Sequence, residues 1–479
     1  MQSITDIRRL ASAGVAAVGL RQIAIRAIGL AGTVVLARLL LPRDFGAVAI
    51  GLTLTSVFAF VGDAGIGAGL IRRPEAPSRE DLQAFLGLQV LVTLVLAVLT
   101  AVITMPLGLV GRVTALMVVA LPIAAFRSPA VILFERDLRY RPLVLIELLE
   151  TVVYNAWAIG TVLAGWGVWG LASAVVVRAI FGAVVMSARS PAGFMRPRLS
   201  WGRVRGLLPF GLRYQAVSAV VLVRDQGVNL GTALIGGVAV LGLWSLSFRI
   251  MQVPFLLFDS VWRVSFPAMS RLIAAGEDAR PIIERGLALG GVVSGALLSV
   301  LVGSAPALVP SVFGAHWAPA AQAIPWAAAG LMFGGPVSVA TAGYLYAVGD
   351  SSSVLISAIV QALAWFALAF PLLPILGVQA IGIGWMAASI GEAIVLGVRT
   401  RRHVRVGYAR ALGLPAAVGA AAATAGWLTA SQLGPTLISA AAGALVAGVL
   451  YVVALAVLRG ALLRDALRLT TRSLFALGR

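Results

Sequence analysis

The sequence contains no cysteine and no lysine, and it has two histidines. Without cysteine, disulfide bonds, thiolate chemistry and cysteine-ligated metal sites are excluded. With two histidines, a Ser/His/Asp catalytic triad has almost no candidate for its histidine. Neither an HExxH motif nor a phosphate-binding loop occurs in the sequence. All basic side chains other than these histidines are therefore arginines. We expect no metal and no cofactor.

Apolar side chains are abundant. Of the 479 residues, 60% are hydrophobic and 11% are charged, and the mean hydropathy is +1.00. Such a composition is typical of a polytopic membrane protein. The net charge of +19 would suggest nucleic acid as the partner of a soluble protein. In a polytopic protein, cytoplasmic loops that follow the positive-inside rule explain the charge, and we expect no nucleic acid partner.

Apolar windows of about 20 residues predict about fourteen transmembrane helices. They begin near Val15, Ala47, Leu82, Val113, Val144, Val168, Val204, Val240, Ile282, Ala320, Leu355, Gly377, Ala411 and Thr436. Arginines cluster in alternate connections, which are therefore predicted to be cytoplasmic together with both termini. No connection on the other side exceeds about fifteen residues, so the function is expected to lie within the membrane. This excludes most enzymes.

A short internal repeat suggests two halves. Gly19-Leu20-Arg21-Gln22 recurs as Gly211-Leu212-Arg213 with Gln215 close behind. Two halves of the same orientation predict pseudo-symmetric six-helix lobes around a central cavity, a common transporter plan. The predicted division is an N-terminal lobe over 1–200, a C-terminal lobe over 201–405, and two additional helices with an amphipathic cytoplasmic tail over 406–479.

Charged side chains inside the predicted spans point to the function, because a charge near the bilayer centre costs about 2.5–3.5 kcal/mol and usually faces a polar interior. Arg213 and Arg224 lie about 20° apart around a helix and about 16 Å apart along it. With Arg21 they could line a cationic cavity, because guanidinium groups suit phosphate oxygens. Pairing with buried carboxylates is the alternative, and both can hold together.

The buried acids are candidates for ion coupling or for charge pairing with these arginines. Asp63 lies in a glycine-rich segment, FVGDAGIGAGLIRRP, where the backbone can approach a neighbour closely. It could bind a coupling proton or Na⁺, and pairing with Arg21 is favoured. The remaining candidates are Asp225, Asp259 and Glu150.

ARLLLPRDFGAVAIG (37–51) followed by FVGDAGIGAGLIRR (60–73) resembles the polysaccharide-transporter family of Wzx-type oligosaccharide flippases. This family belongs to the multidrug/oligosaccharidyl-lipid/polysaccharide (MOP) superfamily. Further matches in family order are FERDLRYRPLVLIE (134–147), WGVWGLA (166–172), LWSLSFRIMQVP (243–254), FPAMSRL (266–272) and FGAHWAPAA (313–321). The resemblance covers about residues 10–400 and implies a two-lobed bundle that works by alternating access.

The resemblance further implies an inner-membrane flippase for undecaprenyl-diphosphate-linked oligosaccharide. Its diphosphate would meet Arg21, Arg213, Arg224 and Arg249. Membrane lipids, and a polysaccharide polymerase with chain-length machinery, are the implied partners. One position departs from the family, which often has an acid three residues after the arginine of span seven. Gly227 stands there, and the nearest acid is Asp225.

Two other functions remain open. One is export of another cargo by a related protein, either lipid II or a cationic drug. Like-charge repulsion in an arginine-rich cavity argues against the drug. The other is a membrane polymerase or glycosyltransferase, which needs catalytic groups in sizeable external loops that this sequence does not provide. We therefore expect a transporter and no catalytic residues.

Overall fold

The computed structural model describes the backbone of residues 24–477, and their side chains except at 217, 257, 259–268, 461–463 and 465–477. Throughout this described part the regular structure is helical, and no strand occurs in it. The all-α prediction is therefore confirmed. The chain forms two compact units, Met1–Ala233 and Leu234–Arg479. The predicted lobe boundaries at 200 and 405 stay a prediction.

The first unit contains the helices up to α11, most of them joined by short turns. They are α1 (described over 24–39), α2 (Pro42–Asp63), α3 (Ile66–Arg72), α4 (Arg79–Thr104), α5 (Gly108–Val118), α6 (Ala120–Ala125), α7 (Ser128–Arg136), α8 (Tyr140–Thr161), α9 (Val168–Arg189), α10 (Trp201–Val204) and α11 (Leu208–Ile235). A 3₁₀ turn, Met105–Leu107, follows α4, and a π-helical turn, Val162–Trp166, follows α8.

The second unit contains the helices from α12 onward. They are α12 (Val238–Ala274), α13 (Arg280–Phe313), α14 (Ile324–Val337), α15 (Gly343–Ala347), α16 (Ser351–Leu376), α17 (Val378–Thr400), α18 (Tyr408–Gln432) and α19 (Leu437–Leu477). A 3₁₀ segment, Ala315–Ala323, precedes α14, and a π-helical turn, Ser338–Ala342, follows it. The backbone of α19 is kinked at Arg459.

Within the described residues, 11 helices are long and apolar enough to cross a membrane. The protein is therefore a multi-span membrane protein, whereas the predicted count of fourteen is not confirmed. The first predicted span begins near Val15, outside the described residues. The helix α11 is long enough to span a bilayer but is not one of the 11.

Two prolines divide the predicted fourth span into α5, α6 and α7. Proline has no N–H to bond the carbonyl oxygen four residues earlier. Pro122 therefore leaves the carbonyl of Val118 without its helical donor, and α5 ends at Val118. Pro129 does the same for Ala125, where α6 ends. The break between α6 and α7 carries Arg127, so the prolines place this arginine.

The helix α3 is anchored at both ends. Gly65 precedes it with a positive φ of 69° and packs against the backbone of Gly211, where a β-carbon would not fit. At the other end the Arg136 guanidinium donates to the carbonyl oxygens of Leu70, Ile71, Arg73 and Pro74 at 2.6–3.3 Å. Carbonyl groups at a helix C-terminus lack intrahelical donors, so Arg136 stabilises this end of α3.

In the second unit, α13 packs against α18 and α19 through backbone contacts. Gly303, Gly426 and Gly443 face one another so closely that a β-carbon at any of them would meet a neighbour. Small residues permit such contacts between helices in a membrane. The Tyr451 hydroxyl adds a hydrogen bond to the Val292 carbonyl oxygen at 2.9 Å. The two C-terminal helices are thus packed closely against α13 within the second unit.

Asp350 caps the N-terminus of α16, in the turn between α15 and α16. Its carboxylate accepts hydrogen bonds from the Ser353 N–H at 3.2 Å and from the Ser353 hydroxyl at 2.6 Å. These bonds, together with one from Ser352, lower the pKa of Asp350 to about 2 from its ordinary 3.8. The ionised carboxylate therefore contributes stability that is present above pH 3.8 and is lost as the pH falls through about 2.

Asp350→Ala should lower the free energy of unfolding by about 1 kcal/mol at pH 7, because it removes the cap. The corresponding decrease in melting temperature is about 2–4 °C, measured for the purified protein in detergent. Asp350→Asn, which keeps the capping oxygen, should lose less. The difference between the wild type and Asp350→Ala should shrink as the pH is lowered from 4 to 2. A constant difference would exclude the ionised cap as its cause.

Candidate functional site

A polar cavity of about 430 Å³ lies inside the first unit. Residues of α2, α3, α4, α6, α7 and α11 line it. Its polar lining residues are Asp63, Gln89, Thr93, Arg127, Ser128, Glu135 and Tyr214. Cavities of about 300–1,000 Å³ with a few convergent polar groups are the usual form of small-ligand sites. Ionisable groups at membrane depth usually mark a site as well.

Arg127, which lines the cavity, belongs to a buried ion pair with Glu150. Arg127 Nη1 donates to both carboxylate oxygens of Glu150, at 3.0 and 2.9 Å, and the Glu150 side chain is 1% exposed. Arg178 Nε lies 3.5 Å from Glu150 Oε2, and Arg127 Nη2 lies 3.7 Å from Glu147 Oε1. Gly182 on α9 leaves room for Glu150, because a β-carbon there would overlap the carboxylate. Glu150 thus holds two guanidinium groups.

Asp63 lies at the turn between α2 and α3. Its Oδ2 accepts hydrogen bonds from the Gly65 N–H at 3.1 Å and from Gln215 Nε2 at 3.0 Å. Asp63 therefore caps the start of α3 and joins it to α11. Its predicted partner Arg21 lies outside the described residues, so ion coupling by Asp63 and its pairing with Arg21 stay predictions.

Two other oxygen acceptors of the cavity have no hydrogen-bond donor among the described residues. The Gln89 side chain, in an 8% exposed residue of α4, has its Oε1 atom buried and without a hydrogen-bond partner in the described chain. Glu135 is half-buried near the end of α7. The cavity therefore presents oxygen acceptors that the described residues leave unmatched.

The helix α11 carries two of the predicted phosphate-binding arginines. Arg213 is exposed, and Arg224 Nε lies 2.8 Å from Asp225 Oδ1. Asp225 is thus a charge partner of Arg224. Asn229 on the same helix donates to Thr53 Oγ1 of α2 at 3.3 Å, so α11 packs on α2. Neither arginine is among the lining residues of the cavity, and their role in binding phosphate stays a prediction.

The other predicted site residues are placed as follows. Arg21 lies outside the described residues. Arg249 is half-buried on α12 of the second unit, and Asp259 is on the same helix, with its side chain outside the description. Glu392 of α17, a further acid of the predicted spans, accepts hydrogen bonds from Gln361 Nε2 at 2.7 Å and from Ser338 Oγ at 3.2 Å.

Sequence reasoning missed Gln89, Glu135 and Tyr214 as cavity residues. Glu135 is next to Arg136, and the arginine-rich run there was interpreted only as a cytoplasmic connection. Gln89 is a single amide inside a long apolar window. Burying an amide is costly unless it has a hydrogen-bond partner or a ligand, and this cost was the signal for a cavity residue. The pairing of Arg127 with Glu150 depends on the break before α7, which places this arginine.

The fold defines the class of protein. The chain is similar to the lipid II flippase MurJ in an inward closed conformation, with a TM-score of 0.74 and 12% identity over 93% of this chain and 99% of that chain. It is also similar to an inward-facing multidrug resistance MATE family transporter of the MOP superfamily, with a TM-score of 0.60 and 14% identity over 80% and 97% of the two chains. At sequence identities of 12% and 14%, these similarities concern the fold alone. The chain has the fold of the MOP superfamily.

The sequence defines the family. The polysaccharide biosynthesis protein family matches residues 35–322, more than half of the chain, and the protein belongs to this family. The succinoglycan biosynthesis transport protein ExoT of Rhizobium meliloti (strain 1021) is 23% identical over 295 residues, which are 59% of this chain and 58% of ExoT. That match thus spans less than two thirds of ExoT. The predicted family is confirmed.

Glu150→Gln should destabilise the first unit by about 3 kcal/mol, because it leaves two guanidinium groups without their buried countercharge. The melting temperature of the purified protein measures this loss. Glu147→Gln removes a carboxylate that is 29% exposed and 3.7 Å from Arg127, so it should cost clearly less. Equal effects of the two substitutions would mean that burial of the Glu150 pair is not what stabilises the unit.

Proposed function

We propose that the protein is a flippase of the inner membrane for undecaprenyl-diphosphate-linked oligosaccharide repeat units in surface polysaccharide biosynthesis. It would move these units from the cytoplasmic to the periplasmic leaflet by alternating access. The main support for this proposal is that residues 35–322 match the polysaccharide biosynthesis protein family. Both termini would be cytoplasmic, and a polysaccharide polymerase with chain-length machinery would use the product.

The physical problem of such a cargo matches the chemistry of this chain. A diphosphate and several sugars cannot enter hydrocarbon, where unmatched polar groups and charges are costly. A long isoprenoid chain, by contrast, has no reason to leave hydrocarbon. A flippase therefore needs a polar path for the headgroup and an apolar surface for the lipid.

The arginines of α11 support the polar half of this proposal. The helix has 28 residues, and it carries Arg213, Gln215, Arg224, Asp225, Gln226 and Asn229. A helix of this length with so many polar groups faces a polar interior in a membrane. The guanidinium group suits phosphate oxygens because it is planar, always charged and rich in donors. We assign the diphosphate to Arg213 and Arg224, with Arg21 and Arg249 as further candidates.

An apolar groove in the second unit supports the other half. It has a volume of about 770 Å³ and lies between α13 and α19. Aliphatic residues and a glycine line it: Ala296, Val300, Ala441, Ala444, Leu445, Gly448, Val449, Val452 and Val453. Small residues on α19 make the groove, because they leave space that larger side chains would fill. We assign the isoprenoid chain of the cargo to this groove.

Cells lacking the protein provide the first test. If the proposal is correct, undecaprenyl-linked oligosaccharide accumulates with its sugars on the cytoplasmic leaflet, and surface polysaccharide is lost. Accessibility of the sugars to an impermeant periplasmic glycosidase measures their position. Normal arrival of these units at the outer leaflet, together with accumulation of lipid II inside, would make lipid II the cargo instead.

Arg224→Ala should reduce flipping of the lipid-linked oligosaccharide at least tenfold while the protein still accumulates, because one charged phosphate contact is worth about 1.5–3 kcal/mol. Arg224→Lys should recover part of the activity, since it keeps the charge but not the planar fork. Arg196→Ala, at an exposed arginine between α9 and α10, is the matched control. Full activity of Arg224→Ala would remove this residue from the site.

Gly448→Trp should reduce flipping, because the indole would fill the groove that Gly448 lines. Leu450→Trp on the same helix is the control, since Leu450 is exposed and is not a lining residue. Flipping by purified protein in vesicles, scored for both variants at equal protein density, measures the difference. If both variants behave like the wild type, the groove holds only bilayer lipid.

A further inference from the structure

The connection between α9 and α10 exposes large apolar side chains beside the ends of two membrane spans. Phe194, Leu199 and Trp201 are 61%, 67% and 61% exposed, and they lie within eight positions of the sequence. Large apolar side chains this exposed and this close together in the chain mark a contact with a membrane or with another protein.

The backbone of this connection is held against α4. The Arg198 N–H donates to the Gln83 carbonyl oxygen at 3.1 Å. Gly87 lies so close to the Arg198 backbone that a β-carbon there would overlap it. Met195 is buried in a cluster with apolar residues of α3 and α4. The exposure of the neighbouring apolar side chains is therefore a fixed feature of the fold.

The short helix α10 places an aromatic and a basic side chain together. Trp201 and Arg205 are one helical turn apart, and the Arg205 N–H donates to the Trp201 carbonyl oxygen at 2.9 Å. Residues four positions apart lie on the same face of a helix, and Val204 between them is buried. An exposed indole and an exposed guanidinium thus share one face, a combination typical of the boundary between membrane and water.

The charges beside these apolar residues define the partner. Arg198 and Arg205 are exposed, and neither has an acidic partner in the part of the chain that the structure describes. The two acids at the start of α4, Glu80 and Asp81, are paired with Arg203. The surface therefore carries positive charge that attracts an anionic partner.

The position of the connection favours a bilayer over a soluble protein. The connection directly follows the candidate span Val168–Arg189, and it is bound to the first turns of the candidate span that begins at Arg79. It therefore lies where hydrocarbon gives way to lipid headgroups. Anionic headgroups attract arginines there, and the apolar side chains beside the arginines match the acyl boundary below the headgroups.

We propose that Arg198, Leu199, Trp201 and Arg205 bind anionic phospholipid of the adjacent leaflet. The two guanidinium groups hold lipid phosphate, and the leucine and the indole enter the interfacial layer. The predicted topology makes this leaflet the cytoplasmic one. Through the backbone contacts with α4, the bound lipid fixes this end of the first unit on the membrane. The inference needs no assumption about the cargo and can fail while the proposed function holds.

The test uses a single cysteine in a chain that has none of its own. Ser200→Cys carries the fluorophore NBD, and the full chain is reconstituted in vesicles of phosphatidylcholine and phosphatidylglycerol. Acyl chains labelled with a nitroxide quench the probe where they contact it. Nitroxide-labelled phosphatidylglycerol should quench more than labelled phosphatidylcholine at equal mole fraction, because it is anionic. Ala76→Cys, in the exposed turn between α3 and α4, is the control position and should show no such preference.

Arg198→Gln and Arg205→Gln test the charge. Each should weaken the binding of phosphatidylglycerol about fivefold, since it removes one arginine near an anionic surface. Arg43→Gln combined with Arg112→Gln is the matched control for the double variant, because it removes the same charge at exposed arginines elsewhere in the first unit. This control should keep the preference for phosphatidylglycerol.

Trp201→Ser tests the apolar contact without changing the charge. It should lower the quenching by both lipids, because the indole no longer holds the connection in the interfacial layer. This variant also decides the question if the double arginine variant does not fold.

The inference is overturned if NBD at residue 200 emits as it does in water and neither lipid quenches it, since the surface would then face a soluble partner. Equal quenching by the two lipids overturns it as well, because contact with the bilayer would then involve no recognition of anionic lipid. A preference that survives the loss of both arginines has the same consequence.

Discussion

Burial of the Glu150 carboxylate between two arginines is the interaction on which the first unit depends. A carboxylate that is 1% exposed is stable as an ion only when it is paired and hydrogen-bonded. Arg127 and Arg178 provide that pairing from the start of α7 and from α9, and Gly182 provides the space. The pair therefore joins three helices and also leaves the cavity without a free guanidinium among its described lining residues. Among the described lining residues, Asp63 and Glu135 are therefore not balanced by a free cation.

The backbone obeys a related constraint. In a bilayer each N–H and C=O group needs a partner, since water does not supply one. The prolines that break the fourth predicted span free carbonyl groups but also let the chain turn, and the turn presents Arg127 to Glu150. At the end of α3 the side chain of Arg136 replaces the missing helical donors. In both places a charged side chain lies where a helix is interrupted. Arg127 lies at the break before α7, and Arg136 donates to the free carbonyl groups at the end of α3.

The two units differ in the chemistry that the described residues offer. The first holds a polar cavity, two arginines on one face of α11, and two oxygen acceptors, of Gln89 and Glu135, that the described residues leave unmatched. The second holds an aliphatic groove and helices packed on glycine. The proposed cargo, with a diphosphate headgroup and an isoprenoid chain, would need both kinds of surface.

Composition and hydropathy alone determined that the chain is an all-α membrane protein, because continuous apolar runs of about 20 residues cross a bilayer as helices. Motifs such as ARLLLPRDFG and FVGDAGIGAG identified the family, and the spacing of Arg213 and Arg224 placed both on one helix face. The tertiary structure decided which charges meet. Whether Glu150 pairs with Arg127 or with an arginine of α11 depends on packing between helices far apart in sequence, which helical periodicity does not encode. The same holds for Gln89 and Glu135, whose shared cavity exists only once α4 and α7 are packed together.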